Sequence, residues 1–292
     1  MNKEELKAFF DQNQTIIADG ATGTNLIARG LPPGTTAEHW VLEKPDEILK
    51  LHSDFIKNGA HIILTSTFGG SKIRLAHAGI EGDFEKVNSS GVKIAKNAAK
   101  GTNTLVAGSM GPLGEMIKPL GTLAYDEALQ LYADQSRILV DAGADLIVIE
   151  TQFDINEAKA AIEGVRSVSK IGLVCSFSFD RGVKTMMGVS PTKFADGVKE
   201  YDLSAVGINC GKSILDNQQC LEELFSITDL PIWFKPNAGL PEVNESGTAV
   251  YSLSPQKMGD FASNWPTMGA KIIGGCCGTS PAHLYEIAQA VR

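Results

Sequence analysis

Cys276 and Cys277 stand side by side in Lys271-Ile-Ile-Gly-Gly-Cys-Cys-Gly-Thr279, and a third cysteine, Cys210, ends Val206-Gly-Ile-Asn-Cys210. Each group follows a short apolar run of β type and is followed by glycine. Thiolates select soft or borderline ions such as zinc. Three protein ligands with one exchangeable position make a catalytic zinc site, whereas four protein ligands make a structural one. No nearby Cys-x-x-Cys pair and no histidine of ligand spacing offers a fourth. Zinc on Cys210, Cys276 and Cys277 would bring an incoming thiol well below its free pKa of about 8.5, so that it is a thiolate at neutral pH. The natural reaction is attack of that sulfur on a carbon electrophile, most simply a methyl group. Hydrolysis through a zinc-bound water is the alternative, disfavoured because three anionic sulfurs weaken the ion as a Lewis acid. Cys175 and Cys220 read as small buried hydrophobes.

Two carboxylates, Asp19 and Glu150, also follow apolar runs. They are candidates for gripping a substrate ammonium, and each reads equally well as a helix cap or a loop hydrogen-bond acceptor. Gly20 and Gly23 allow close backbone approach or a positive φ. Gly108-Ser-Met-Gly-Pro112 can present backbone N–H groups to a carboxylate, as many purely structural turns can.

Positioning these groups falls to short β-rich runs alternating with longer amphipathic stretches. The eight runs are 15–19, 61–65, 104–108, 145–149, 172–176, 205–208, 232–235 and 270–273. Their near-continuous apolar character suits strands buried on both faces of a parallel sheet. Helices are expected at about 45–58, 83–100, 125–142, 155–168, 191–201, 214–227, 254–264 and 280–291, with one more within 1–12. Pro45, Pro191, Pro255 and Pro281 fall near helix starts, Asp154 stands where an N-cap belongs, and Gly59 and Gly143 close two helices. Strand-helix units repeated in this way predict an α/β fold, a (β/α)8 barrel, whose active residues lie at the C-terminal strand ends. An open doubly wound sheet is the competitor, but no Gly-x-Gly-x-x-Gly turn follows the first run. The stretch 242–248 reads as a long polar loop after the seventh strand.

The 292 residues suit one barrel domain spanning 1–292. A net charge of -8 argues against a nucleic-acid partner, which needs a basic surface. Five cysteines do not form a disulfide framework, and a reducing cytoplasm is the expected compartment. The charged N-terminus lacks an apolar signal core, and no apolar run approaches a membrane span.

Asp19-Gly-Ala-Thr-Gly-Thr24, Gly108-Ser-Met-Gly-Pro112, Glu150-Thr151, Gly207-Ile-Asn-Cys210, Pro236-Asn-Ala-Gly239 and Gly274-Gly-Cys-Cys-Gly-Thr279 together resemble the homocysteine S-methyltransferase family. The resemblance runs from about residue 14 to the C-terminus. It implies a (β/α)8 barrel, zinc on Cys210, Cys276 and Cys277, and homocysteine as the thiol converted to methionine. It also implies that Asp19 and Glu150 lie near the amino group and that backbone around Gly20 and Ser109 holds the amino acid. One departure stands out. Where family members often carry Glu-Thr-Asn-Thr-Phe after the second strand, this chain has Leu64-Thr-Ser-Thr-Phe68. Nor does it carry an Asp-x-His-x-x-Gly corrinoid signature. The methyl donor is therefore expected to be methylcobalamin on a separate corrinoid protein, or a small onium compound such as S-methylmethionine or a betaine. A non-catalytic or partner-dependent methyl-transfer module on the same scaffold is the alternative.

Overall fold

The computed structural model describes residues 1–32, 34–243 and 249–291. Its strands are β1 (Ile16–Ile17), β2 (Ile62–Leu64), β3 (Leu105–Met110), β4 (Leu146–Gln152), β5 (Gly172–Phe177), β6 (Ala205–Cys210), β7 (Ile232–Pro236), β8 (Pro241–Val243), β9 (Ala249–Tyr251) and β10 (Ala270–Ile273). Eight of them form a parallel sheet in the order β1-β10-β7-β6-β5-β4-β3-β2. The two edges meet: Ala18 bridges Ile62, the His61 N–H donates to the Ile17 carbonyl at 2.7 Å, and the Asp19 N–H donates to the Ile62 carbonyl at 3.0 Å. The expected α/β barrel is therefore present, with helices around it. β8 and β9 make a separate antiparallel hairpin where a polar loop was expected; residues 244–248 of that stretch lie outside the described residues.

Successive strand residues point to opposite faces, so every second residue faces the barrel axis. Ile16, Ala18, Ile62, Leu64, Ala107, Leu146, Val148, Val174, Ala205, Trp233 and Ile272 form one such buried cluster. Leu6 and Phe10 of the N-terminal helix (Lys3–Gln12) join it and close the N-terminal end of the barrel. A side chain at Gly172 would place its Cβ 2.6 Å from Leu6 Cδ2, so glycine there lets the helix dock. Continuing the same alternation toward the C-terminal ends brings Ser66, Ser109, Glu150, Ser176, Asn209 and Lys235 inward. The apolar interior thus gives way to a polar layer at one end only.

The helices begin where the sequence indicates. Ser190, Ser254 and Ser280 each cap a helix whose first residue is proline, and Asp154 accepts the Asn156 N–H. Gly59 and Gly143 adopt φ of 105° and 100°, the left-handed conformation that terminates a helix without Cβ strain. Three short helices, Gly23–Ala28, Ala37–Glu43 and Lys72–His77, were not anticipated. They lie in the connections after β1 and β2 and raise a wall over that side of the mouth. Among the described residues no helix is long and apolar enough to cross a membrane.

Candidate metal and substrate site

The last barrel strand runs into Gly274-Gly275, which lets the chain turn tightly against β1. A Cβ on Gly274 would lie 2.7 Å from the Asp19 carbonyl, and one on Gly275 would lie 2.4 Å from Thr279 Cγ2. The Cys276 N–H donates to the Pro236 carbonyl at 2.9 Å, and the Thr279 hydroxyl donates to the Cys276 carbonyl at 2.6 Å. The Cys277 carbonyl accepts the Ala238 N–H at 2.9 Å. Backbone from three directions therefore fixes the cysteine pair.

Cys210 is held in a strained conformation by hydrogen bonds to the backbone around it. Its φ is 58°, a conformation rare outside glycine and sustained only where the surroundings over-determine it. The Asn217 side chain donates to the Cys210 carbonyl at 2.7 Å, and the Asn237 side chain donates to the Gly211 carbonyl at 2.7 Å. The result is convergence: the Sγ atoms of Cys210, Cys276 and Cys277 all lie within 4.8 Å of one another, with Cys210 and Cys276 in contact at 2.9 Å. Cys175 and Cys220 are buried elsewhere among apolar side chains. Hydrogen bonds from Cys210 and Cys276 push Cys277 down to about 3, with Tyr251 of the hairpin adding another, while the bonds Cys210 gives raise it well above the ordinary thiol range. A thiolate supported by two thiols in one pocket is the donor set that a soft or borderline cation would take. Zinc fits these residues, and an open position remains because no fourth His, Cys, Asp or Glu joins the cluster among the described residues.

The sulfurs form part of the floor of a cavity of about 400 Å³, a size usual for small-molecule sites. Glu150, Lys235, Ser66 and Ser109 line the same cavity, as do Gly20 and Thr151. Glu150 is buried, and burial pushes its carboxyl up to about 7 against the pull of the Lys235 charge. Its Oε1 accepts the Ser109 hydroxyl at 2.5 Å. The Ser109 N–H is already committed to Thr65 Oγ1 at 3.0 Å, so what Ser109 turns toward the site is its hydroxyl. Gly20 sits where a Cβ would meet the Phe55 ring at 2.7 Å and the Thr279 carbonyl at 2.9 Å, so only glycine fits. Gly23, by contrast, has open space around it.

Asp19 is almost completely buried, and both its oxygens are occupied. Lys235 Nζ donates to Oδ1 at 2.6 Å and the Leu64 N–H donates to Oδ2 at 2.7 Å. Burial alone would lower Lys235, but the Asp19 and Glu150 charges outweigh it and hold the ammonium above its ordinary pKa. Lys235 is not among the residues expected at the site. The available signal was a lysine inside an otherwise apolar strand, two residues beyond the inward-facing Trp233 and so on the same face. Asn209 also carries more than its place beside Cys210 announced: its side chain links β4, β5 and β6 through Thr151 and Ser176.

A model of the homocysteine S-methyltransferase family matches residues 16–291. The chain belongs to the homocysteine S-methyltransferase family. Solved structures agree with this membership. The homocysteine methyltransferase MmuM from Escherichia coli in its metallated form is 25% identical, with a TM-score of 0.83 over 97% of this chain and 99% of that one. Its oxidized form, also 25% identical, gives a TM-score of 0.81 over 97% and 98% of the two chains. A 3-dehydroquinate dehydratase from Geobacillus kaustophilus, at 11% identity and a TM-score of 0.51, shares the fold alone. As a homocysteine S-methyltransferase family member, the chain is an enzyme of thiol methyl transfer. Leu64 adds an apolar side chain to the lining of the cavity that Lys235 also lines.

Proposed function

We propose that the protein transfers a methyl group to homocysteine, giving methionine, with zinc held by Cys210, Cys276 and Cys277. The observation that carries this reading is the meeting of three sulfurs with Glu150 and Lys235 on the wall of one cavity. A zinc ion there supplies the Lewis acidity that keeps an acceptor thiol deprotonated at neutral pH. The chain's own residues do the rest. Glu150, steadied by the Ser109 hydroxyl, takes the substrate ammonium. Backbone at Gly20, which lines the cavity, lies against the amino acid. Asp19 keeps Lys235 charged and in place. The reacting sulfur forms its bond to the methyl carbon as the bond from donor to methyl breaks, and the thiol proton leaves to solvent.

A methyl donor borne by a separate corrinoid protein is favoured by the rim. Leu120, Met186, Leu215, Leu240 and Val250 are exposed on segments that follow β3, β5, β6 and β7 at the C-terminal face. Exposed apolar side chains on the connections around the mouth suit a protein partner. Incubating the zinc-loaded protein and homocysteine separately with methylcobalamin, S-methylmethionine and betaine, and assaying methionine, tests acceptor and donor together. Methionine from a donor supports the reading and identifies the donor class; no methionine from any of them, with zinc bound, would remove free homocysteine as the acceptor.

A further inference from the structure

An ammonium has three N–H donors, and Lys235 gives one to Asp19 and lies 5.6 Å from the centre of the Trp233 ring; it makes no second hydrogen bond among the described residues. Lys235 is 3% exposed, yet it lines the cavity. A buried charge with unused donors is costly unless something pairs with it. Ser66 stands in the same condition: its hydroxyl is buried, lines the same cavity and has no hydrogen-bond partner. Asp19 joins the two positions, because it holds Lys235 with one oxygen and, with the other, the Leu64 N–H two residues before Ser66. Opposite in charge to Lys235 is Glu150 on the same cavity, whose Oε2 carries no hydrogen bond among the described residues.

We propose that Lys235 and Ser66 form a carboxylate subsite, so that the enzyme accepts thiols bearing a free α-carboxylate and discriminates against those without one. The inference rests on the thiol methyl-transfer reading and deepens it. In this arrangement a zwitterionic amino acid lies between Glu150, which faces its ammonium, and Lys235 with Ser66, which face its carboxylate. The sulfur is left to reach the cysteine cluster. Leu64, on the same wall, presents no competing anion to Lys235.

The test is calorimetric titration of the zinc-loaded protein with homocysteine and with 3-aminopropane-1-thiol, which keeps the amine and thiol but lacks the carboxylate. The wild type is expected to bind homocysteine about 10- to 100-fold more tightly, the range of a charge-assisted hydrogen bond. In the Asp19→Asn/Lys235→Met double variant, which removes the buried pair together, the two thiols should bind within about threefold of each other, an interval smaller than one such bond is worth. Ser66→Ala, a small change, should narrow the preference partway. Zinc content and the thermal midpoint certify each variant as folded. Equal binding of both thiols by the wild type, or full discrimination retained by both variants, overturns the subsite and leaves thiol methyl transfer standing. Failure of homocysteine to bind the zinc-loaded wild type overturns both.

Discussion

The Asn209 carboxamide grips Thr151 from both ends: its Oδ1 accepts the Thr151 N–H at 2.8 Å, and its Nδ2 donates to Thr151 Oγ1 at 2.7 Å. Thr151 follows Glu150 and adopts a φ of 61°. Asn209 precedes Cys210, so one side chain couples the end of β4, with its carboxylate, to the end of β6, with its thiol. The same Nδ2 lies 3.6 Å from Cys210 Sγ. Groups that orient metal ligands in this way are typically worth 10- to 100-fold in metal affinity (as an order of magnitude, about one to two decades). Asn209→Ala should therefore weaken zinc binding by about that factor, read by competition with a chromogenic chelator. Unchanged affinity would reduce Asn209 to packing.

The cysteine cluster makes two outcomes expected together. Cys210→Ala should purify with almost no zinc and lose more than about a hundredfold in activity, since a ligand matters more than the groups that orient it. In the metal-free native protein, a thiol reagent should modify Cys277 first, the thiol held lowest, and should reach only the partly exposed cluster of Cys210, Cys276 and Cys277, while Cys175 and Cys220 are fully buried. Zinc should protect all three, and mass spectrometry of the labelled peptides reads the result. Labelling of Cys175 before unfolding would contradict this burial.

Glu150 gives the metal-free protein a pH dependence. Its folded pKa of about 7 exceeds the ordinary value of 4.5, so folding takes up a proton. The stabilising contribution is complete below about 4.5 and is lost as pH rises through about 7. Glu150→Gln abolishes this dependence. Between those limits the wild type should lose up to about 3 kcal/mol relative to the variant. Urea unfolding of both proteins across the range checks it; parallel curves would show that Glu150 does not titrate in this window.

Removing Lys235 alone strands a buried carboxylate. Lys235→Met should cost about 3–5 kcal/mol, the usual effect of breaking a buried pair. Asp19→Asn added to it should recover most of that loss, because the orphaned charge disappears. Chemical denaturation of the single and double variants measures the coupling, and additive losses would mean that the two residues do not depend on each other.

Much of the architecture is legible in the chain. Near-continuous apolar runs can be satisfied only by strands covered on both faces, and serine-proline and helix-ending glycine signals mark the elements between them. The rim helices Gly23–Ala28, Ala37–Glu43 and Lys72–His77 escape notice because six or seven residues are too few to display an amphipathic period. They are held in place by contacts distant in sequence, such as the N–H of Gly69, in the connection after β2, donating to Glu38 at 2.7 Å. The hairpin of β8 and β9 is hidden for a related reason, since three-residue strands at a polar stretch carry little alternation.

The sequence by itself determined the strand-helix alternation, the identity of the family and the residues able to hold a soft cation, because these depend on local pattern and on side-chain type. Only the tertiary structure decided what meets what. Barrel closure brings Asp19 to Lys235 across 216 positions and turns one inward-facing lysine into a cation on the cavity wall. A long-range pairing of this kind depends on the strand register around the whole barrel, and no window of neighbouring residues contains that information.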